Sequence, residues 1–330
     1  MIGRRQFMKA AAAGAAVARV GLRSATAAER LPFKLYDTHA HLISADTTRY
    51  PRAPTTNAAG AGPGGAPPQA VGNATPEIEK VLQWMAESGV GNITAVQRRG
   101  TYGFDNRYIL DCADRFPKQL APVVVLDAQA PETPAAIAKL VVDHAVAGVR
   151  FTGLTADDGT VPWLNSEAAR RSWLVAEHFG LSVDIMSSPP GRSLPASSAY
   201  ALLARQFPNA RLVINHMGWP DTVGAPDFGV EPMIKNLRLF ANVYFKFTSI
   251  NIEQLEAKKI STTDMLRHAV DVYGADRMVW GSDVGNSDGA YNQLVTAMLK
   301  ACEQLTLNEK RRLLHDTATR VYVRGGTRRT

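Results

Sequence analysis

Leu120-Ala121-Pro122-Val123-Val124-Val125-Leu126 is a short run without one polar side chain. A run of that length, rich in Val, reads as a strand buried on both faces rather than as one half-exposed. Similar runs recur along the chain, and the expected strands are Phe33–His41, Asn92–Gln97, Leu120–Leu126, Gly148–Gly153, Leu181–Ser187, Arg211–Gly218, Val243–Ser249 and Arg277–Asp283. Amphipathic stretches separate them. Thr75-Pro76-Glu77 is placed to open the first helix with Pro at its first position, and Asp105 to cap the second. Asn165-Ser166-Glu167 is placed to start the fourth, which stops at Gly180, and the last helical region, 291–322, is expected to break near Leu307-Asn308. Strands alternating with helices imply a parallel sheet, and eight units in a row imply a closed (β/α)8 TIM barrel in a single domain. No repeat of solenoid length is visible.

With 330 residues, 45% of them hydrophobic and 20% charged, the chain has ordinary globular composition. The formal charge of +7 is uneven. Residues 1–27 carry Arg4, Arg5, Lys9, Arg19 and Arg23 without an acid, which leaves 32 basic against 30 acidic residues beyond them. That balance gives no nucleic-acid footprint. Arg4-Arg5-Gln6-Phe7-Met8-Lys9, the small-residue run Ala10 to Leu22 and the A-x-A site Ala25-Thr26-Ala27 follow the order of an export signal of the twin-arginine kind. Residues 28–330 then form the barrel, periplasmic or secreted, and no stretch of the mature form is apolar enough to span a membrane. Residues 51–76 are crowded with Gly, Pro and Ala; they follow the first strand and read as a surface loop, with a lid as the functional alternative.

Barrel enzymes place their sites where strands end. The first strand ends Asp37-Thr38-His39-Ala40-His41, and the period of two puts His39 and His41 on one side, where two imidazoles can share a metal ion or a substrate group. The sixth ends Asn215-His216-Met217-Gly218, the eighth Trp280-Gly281-Ser282-Asp283, and the fourth Gly148-Val149-Arg150-Phe151-Thr152. His144, His178, His268 and His315 fall in or at the ends of helices and are read as surface or helix-end residues. Neither Cys112 nor Cys302 lies at a strand end, which disfavours a Cys nucleophile.

These stretches, Asp37 to His41, Asn215 to Gly218 and Gly281 to Asp283, resemble the signatures of the amidohydrolase superfamily, over about Tyr36 to Tyr322. They are most similar to its amidohydrolase-related branch, which includes aminocarboxymuconate semialdehyde decarboxylase and pyrone dicarboxylate lactonase. Gly148-Val149-Arg150-Phe151, Gly103-Phe104-Asp105-Asn106 and Phe245-Lys246 lean toward the lactonase side. The departures are specific. Strand five, Leu181 to Ser187, lacks the histidine of metal-dependent members, and Arg150 stands where binuclear members carry a bridging ligand. A guanidinium cannot ligate a cation, so two metals are excluded. Asn215, Trp219 and Gly285-Asn286 also depart from the pattern.

The resemblance implies a hydrolase of small, carboxylated lactones or comparable cyclic esters or amides. Asp283 is then the general base and His216 helps polarise the carbonyl. Arg150 holds a substrate carboxylate, with Arg98, Tyr102 and Lys246 as further binding candidates; Lys246 can instead pair with an acid inside the barrel. His39, His41 and Asp283 form a ligand set for one divalent ion, zinc or manganese, while the lactonase side can also dispense with metal. The alternatives are a metal-dependent nonoxidative decarboxylase and an exported binding protein that has lost catalysis. The expected partner is a small molecule, not nucleic acid and not a membrane. Replacing Arg4 and Arg5 by Lys is expected to impair export, as read by periplasmic accumulation; equal accumulation would rule out the twin-arginine route.

Overall fold

Eight parallel strands lie side by side in chain order: β1 (Leu35–Ala40), β2 (Val90–Val96), β3 (Leu120–Val125), β4 (Gly148–Leu154), β5 (Ser182–Ser188), β6 (Arg211–Ile214), β7 (Val243–Thr248) and β8 (Met278–Gly281). This computed structural model describes residues 31–54, 75–188 and 193–324, so residues 1–27, where an export signal is expected, and most of the 51–76 loop lie outside the described residues. The ring closes between β8 and β1. The Asp283 N–H donates to the His39 carbonyl at 2.7 Å, and the His41 N–H to the Val284 carbonyl at 2.9 Å. Helices follow the strands: α1 (Ile78–Glu87), α2 (Arg107–Arg115), α3 (Thr133–His144), α4 (Glu167–His178), α5 (Ser197–Gln206), α6 (Glu231–Leu237), α7 (Thr262–Tyr273) and α8 (Tyr291–Ala301), with short helices between some of them.

Local sequence explains the layering. On α4 the Ser166 Oγ accepts the Ala169 N–H at 3.3 Å, capping the helix as expected. Its buried residues, Ala169, Ser172, Trp173 and Ala176, recur at helical spacing and form the face turned to the barrel. Trp173 stacks on Phe207 and donates its Nε1–H to the Leu164 carbonyl at 2.9 Å, so a large ring is buried without an unpaired donor. Truncating it to Ala would cost about 3–5 kcal/mol. Tyr36, Val96, Val123, Val213 and Val279 form one buried cluster with Tyr322, and the Arg324 guanidinium donates to the carbonyls of Ala113, Pro117, Leu120 and His144.

Four boundaries differ clearly from the sequence reading. Strand six ends at Ile214 and strand eight at Gly281, because the backbone then turns into the left-handed region at His216 (φ 52°) and Asp283 (φ 55°). The first helix starts at Ile78 rather than at Pro76, with Glu77 as its flanking residue. The last helical region breaks earlier, over 302–306, and Thr306 caps the next turn by accepting the Glu309 N–H. Among the described residues no helix is long and apolar enough to cross a membrane.

Cys112 lies in α2 and Cys302 directly after α8; both are free and buried, and α1 packs against α8. Burial pushes each thiol up to about 12. The thiolate is the reactive form, so a disulfide reagent at pH 8 should find no group in the folded protein and two after denaturation without reductant. Fewer than two in the denatured chain would contradict the free pair.

Candidate active site

Strict alternation along β1 would not bring its histidines to the barrel mouth. Tyr36 faces the inner cluster, so His39, an odd number of positions later, would point outward. The pairing of β1 with β2 shifts register between Asp37 and Ala40, and this irregularity re-aims the strand so that His39 and His41 converge. Asp37 secures the kink. Its Oδ1 accepts the N–H groups of His39 (3.0 Å) and Ser282 (2.8 Å), and its Oδ2 accepts the Ser282 hydroxyl (2.5 Å) and the Tyr291 hydroxyl of α8 (3.0 Å). Burial raises its pKa to about 6 in spite of these donors, which leaves it a carboxylate at neutral pH. Gly281 is needed here, since a Cβ would fall 2.3 Å from the His39 Cβ. Asp37 and Ser282 were not among the expected site residues; the four-donor clamp is visible only in three dimensions.

Asp283 and His216 are both held in left-handed backbone, at roughly 1–2 kcal/mol for a non-glycine residue. Local bonds offset the strain. The Asp283 carbonyl accepts from Asn286 and Ser287, and Asn251 Nδ2 donates to the His216 carbonyl at 2.9 Å. Asp283 Oδ1 lies 3.2 Å from His41 Nε2 and 3.4 Å from His39 Nε2, with all three side chains essentially out of solvent. Its Oδ2 accepts from Asn286 Nδ2 at 2.9 Å, and Arg98 Nη2 donates to Asn286 Oδ1 at 2.9 Å. Arg98 therefore reaches the carboxylate through Asn286. His216 Nδ1 sits 2.7 Å from Thr248 Oγ1, and its ring packs against Trp219.

Charge sets the protonation of this group. Burial, with the charges of Lys246 and Arg150, holds His39 well below the usual histidine value. Burial lowers His41 although Asp283 pulls the other way, and it lowers His216 to about 3. For Asp283 burial alone would raise the pKa; the closeness of His41 and His216 and the bond from Asn286 outweigh it and leave the carboxyl below its ordinary value.

The remaining expected residues divide. Arg150, on β4 and buried, makes no hydrogen bond or ion pair among the described residues, and its Nε is without an acceptor. Its charge is felt by His39, His41 and His216, which places it at the same mouth. Lys246 takes the second of the two courses open to it. Fully buried, it donates to Asp184 Oδ2 at 2.6 Å inside the barrel. The Tyr102 hydroxyl accepts from the Ser44 N–H (2.9 Å) and from Arg52 (2.7 Å), tying down the start of the loop after β1. Asn215, which replaces an acid found in relatives, donates to Asp184 at 3.0 Å.

A divalent ion fits the trio by distance and by donor type. His39 Nε2 and Asp283 Oδ1 are buried without a hydrogen-bond partner, and the three ligand atoms lie within 4.8 Å of one another. Ligands about 2.0–2.1 Å from a tetrahedral ion stand roughly 3.3–3.4 Å apart, close to the 3.2 and 3.4 Å measured here. His41 is also oriented as a ligand should be. Its Nδ1 meets the Val96 carbonyl at 2.8 Å, which can only accept, so Nε2 presents a lone pair.

The chain is 30% identical over 225 residues to an L-fucono-1,5-lactonase from Burkholderia ambifaria, covering 67% of this chain and 74% of that one. Among solved structures it is similar to a Pseudomonas putida protein designated a 2-pyrone-4,6-dicarboxylic acid hydrolase (TM-score 0.63, 22% identity, 88% of this chain and 98% of that one). It is similar also to the 5-carboxyvanillate decarboxylase of Novosphingobium aromaticivorans with manganese (TM-score 0.59, 12% identity, 88% and 96%); at such identities these two likenesses speak for the fold. The amidohydrolase family model matches residues 36–324, which takes in every strand of the barrel and both ends of its closing seam, and the chain belongs to that family.

Proposed function

We propose that the protein hydrolyses a small lactone bearing a carboxylate, with Asp283 activating the water. The observation that carries this reading is that a buried carboxylate oxygen, Asp283 Oδ1, and a buried guanidinium nitrogen, Arg150 Nε, are both without a hydrogen-bond partner among the described residues. Leaving both charges unsatisfied in the interior is costly unless a ligand completes them. The similarity to a lactonase supports the reaction class.

The chemistry follows from which atoms can donate and which can accept. Asp283 Oδ1 and the bare Nε2 of His41 are two acceptors facing one space, 3.2 Å apart. A water there gives its protons to these two atoms and turns its oxygen lone pair to the substrate. As the water oxygen bonds to the lactone carbonyl carbon, Asp283 takes the proton. In the tautomer with its proton on Nε2, His216, whose Nδ1 faces the Thr248 hydroxyl, donates to the developing oxyanion. Collapse of the tetrahedral intermediate breaks the ring C–O bond, and the departing oxygen recovers the proton from Asp283. Arg150 binds the substrate carboxylate through paired N–H groups and fixes which carbonyl faces the water. Arg98, through Asn286, keeps the Asp283 carboxylate in plane. A zinc or manganese ion held by His39, His41 and Asp283 would supply Lewis-acid polarisation and a more acidic water. The decarboxylase alternative draws support from the barrel likeness alone. The export signal, with a periplasmic or secreted location, remains part of the proposal.

Asp283→Asn should lower kcat on carboxylated lactones at least ~100-fold with the circular dichroism spectrum unchanged; near-wild-type turnover would remove Asp283 from the mechanism. The pH profile gives a second check. Asp283 must be ionised and His41 neutral, and both pKa values are lowered, so activity is lost only as pH falls through values below those of the free side chains. kcat/KM should therefore run flat through pH 6.5. An inflection there would mean a histidine of ordinary pKa controls the rate.

A further inference from the structure

Two histidines two residues apart meet different neighbours at Nδ1. For His41 the neighbour is the Val96 carbonyl at 2.8 Å, a pure acceptor. For His39 it is Lys246 Nζ at 3.3 Å. Lys246 is fully buried and has two other contacts, the Thr38 carbonyl at 2.9 Å and Asp184 Oδ2 at 2.6 Å. An ammonium group has three protons and no lone pair. Three acceptors use all three protons, and the third acceptor is His39 Nδ1. Asp184 in turn accepts from Asn215 and from the Tyr322 hydroxyl at 3.1 Å, so the acid that Lys246 meets is held in place by two further donors.

We infer that Lys246 fixes His39 in the tautomer with its proton on Nε2, opposite to that of His41, and thereby keeps the His39–His41–Asp283 trio a weak metal site. With the proton on Nε2, His39 offers no lone pair to an ion at that nitrogen, which lies 3.4 Å from Asp283 Oδ1 without forming a hydrogen bond to it. To ligate through Nε2 the ring must move that proton to Nδ1, where it would face the ammonium. Ligating histidines ordinarily donate their second N–H to a carboxylate, carbonyl or water, and such partners change metal affinity 10–100-fold. Lys246 is none of these; it pushes the other way. Its role is positioning, exerted from the barrel interior. The inference is independent of the substrate and is read without one.

The experiment has two readouts on metal-free, folded protein. In the wild type, long-range proton–nitrogen correlation spectra of 15N-histidine-labelled protein, assigned by loss of signals in His39→Gln, should show His39 protonated on Nε2 and His41 on Nδ1. Finding His39 protonated on Nδ1 would overturn the inference by itself. Removing Lys246 alone would leave Asp184 buried with too few donors, at a cost of about 3–5 kcal/mol. The variant is therefore the double change Lys246→Gln with Asp184→Asn, whose amides can accept from His39 and satisfy each other. Zinc affinity by chelator competition should rise at least ten-fold in the double variant, with His39 moving to the Nδ1–H form. Zinc affinity unchanged or weaker in a folded double variant would overturn the proposal. If the double variant does not fold, the wild-type spectrum alone decides.

Discussion

The seam where β8 meets β1 is both the closure of the barrel and the floor of its site. Asp37 holds it with four donors, two backbone N–H groups and two hydroxyls, and three of those four lie on or beyond β8. The same few residues that kink β1 to present His39 and His41 also bring the Asp283 backbone against the His39 carbonyl. Closing the sheet and assembling the carboxylate with its imidazoles are thus one event. Any change that loosens the seam, such as a side chain at Gly281, would move His39 as well.

Charge is stacked along the barrel axis below that seam. Arg150 and Lys246 are both buried, yet they are treated differently. Lys246 has an acceptor for each proton, with Asp184 the chief one, while Arg150 has no close partner. A paired buried cation is structural by default, because its pair is largely self-satisfied. An unpaired one keeps an electrostatic demand that an anion can meet. The Tyr322 hydroxyl completes Asp184 from the opposite end of the barrel, so the ion pair links the mouth to the floor.

Much of the fold was legible because the strands are nearly continuous apolar runs and each is followed by a helix. That pattern carries strand count, order and parallel direction: all eight expected strand starts fall within two residues of those observed, and β1 to β8 lie in chain order. Strand ends were less legible. His216 and Asp283 sit in left-handed backbone, which no propensity for His or Asp foretells. The trio of His39, His41 and Asp283 could be read from strand ends alone. Asp37, Thr248 and Asn286 could not, since their roles depend on partners up to 254 positions away or on a turn whose shape the sequence does not display. Lys246 and Tyr102 were legible as residues near the mouth, but which way each is satisfied depended on Asp184, Ser44 and Arg52.

The central claim is that water, activated at Asp283, attacks a ring carbonyl. Turnover of carboxylated lactones in 18O-labelled water, followed by mass spectrometry and by carbon dioxide detection, tests it most directly. The account predicts one 18O atom in the newly formed carboxylate and no carbon dioxide. Release of carbon dioxide, or an opened product without label, would contradict it.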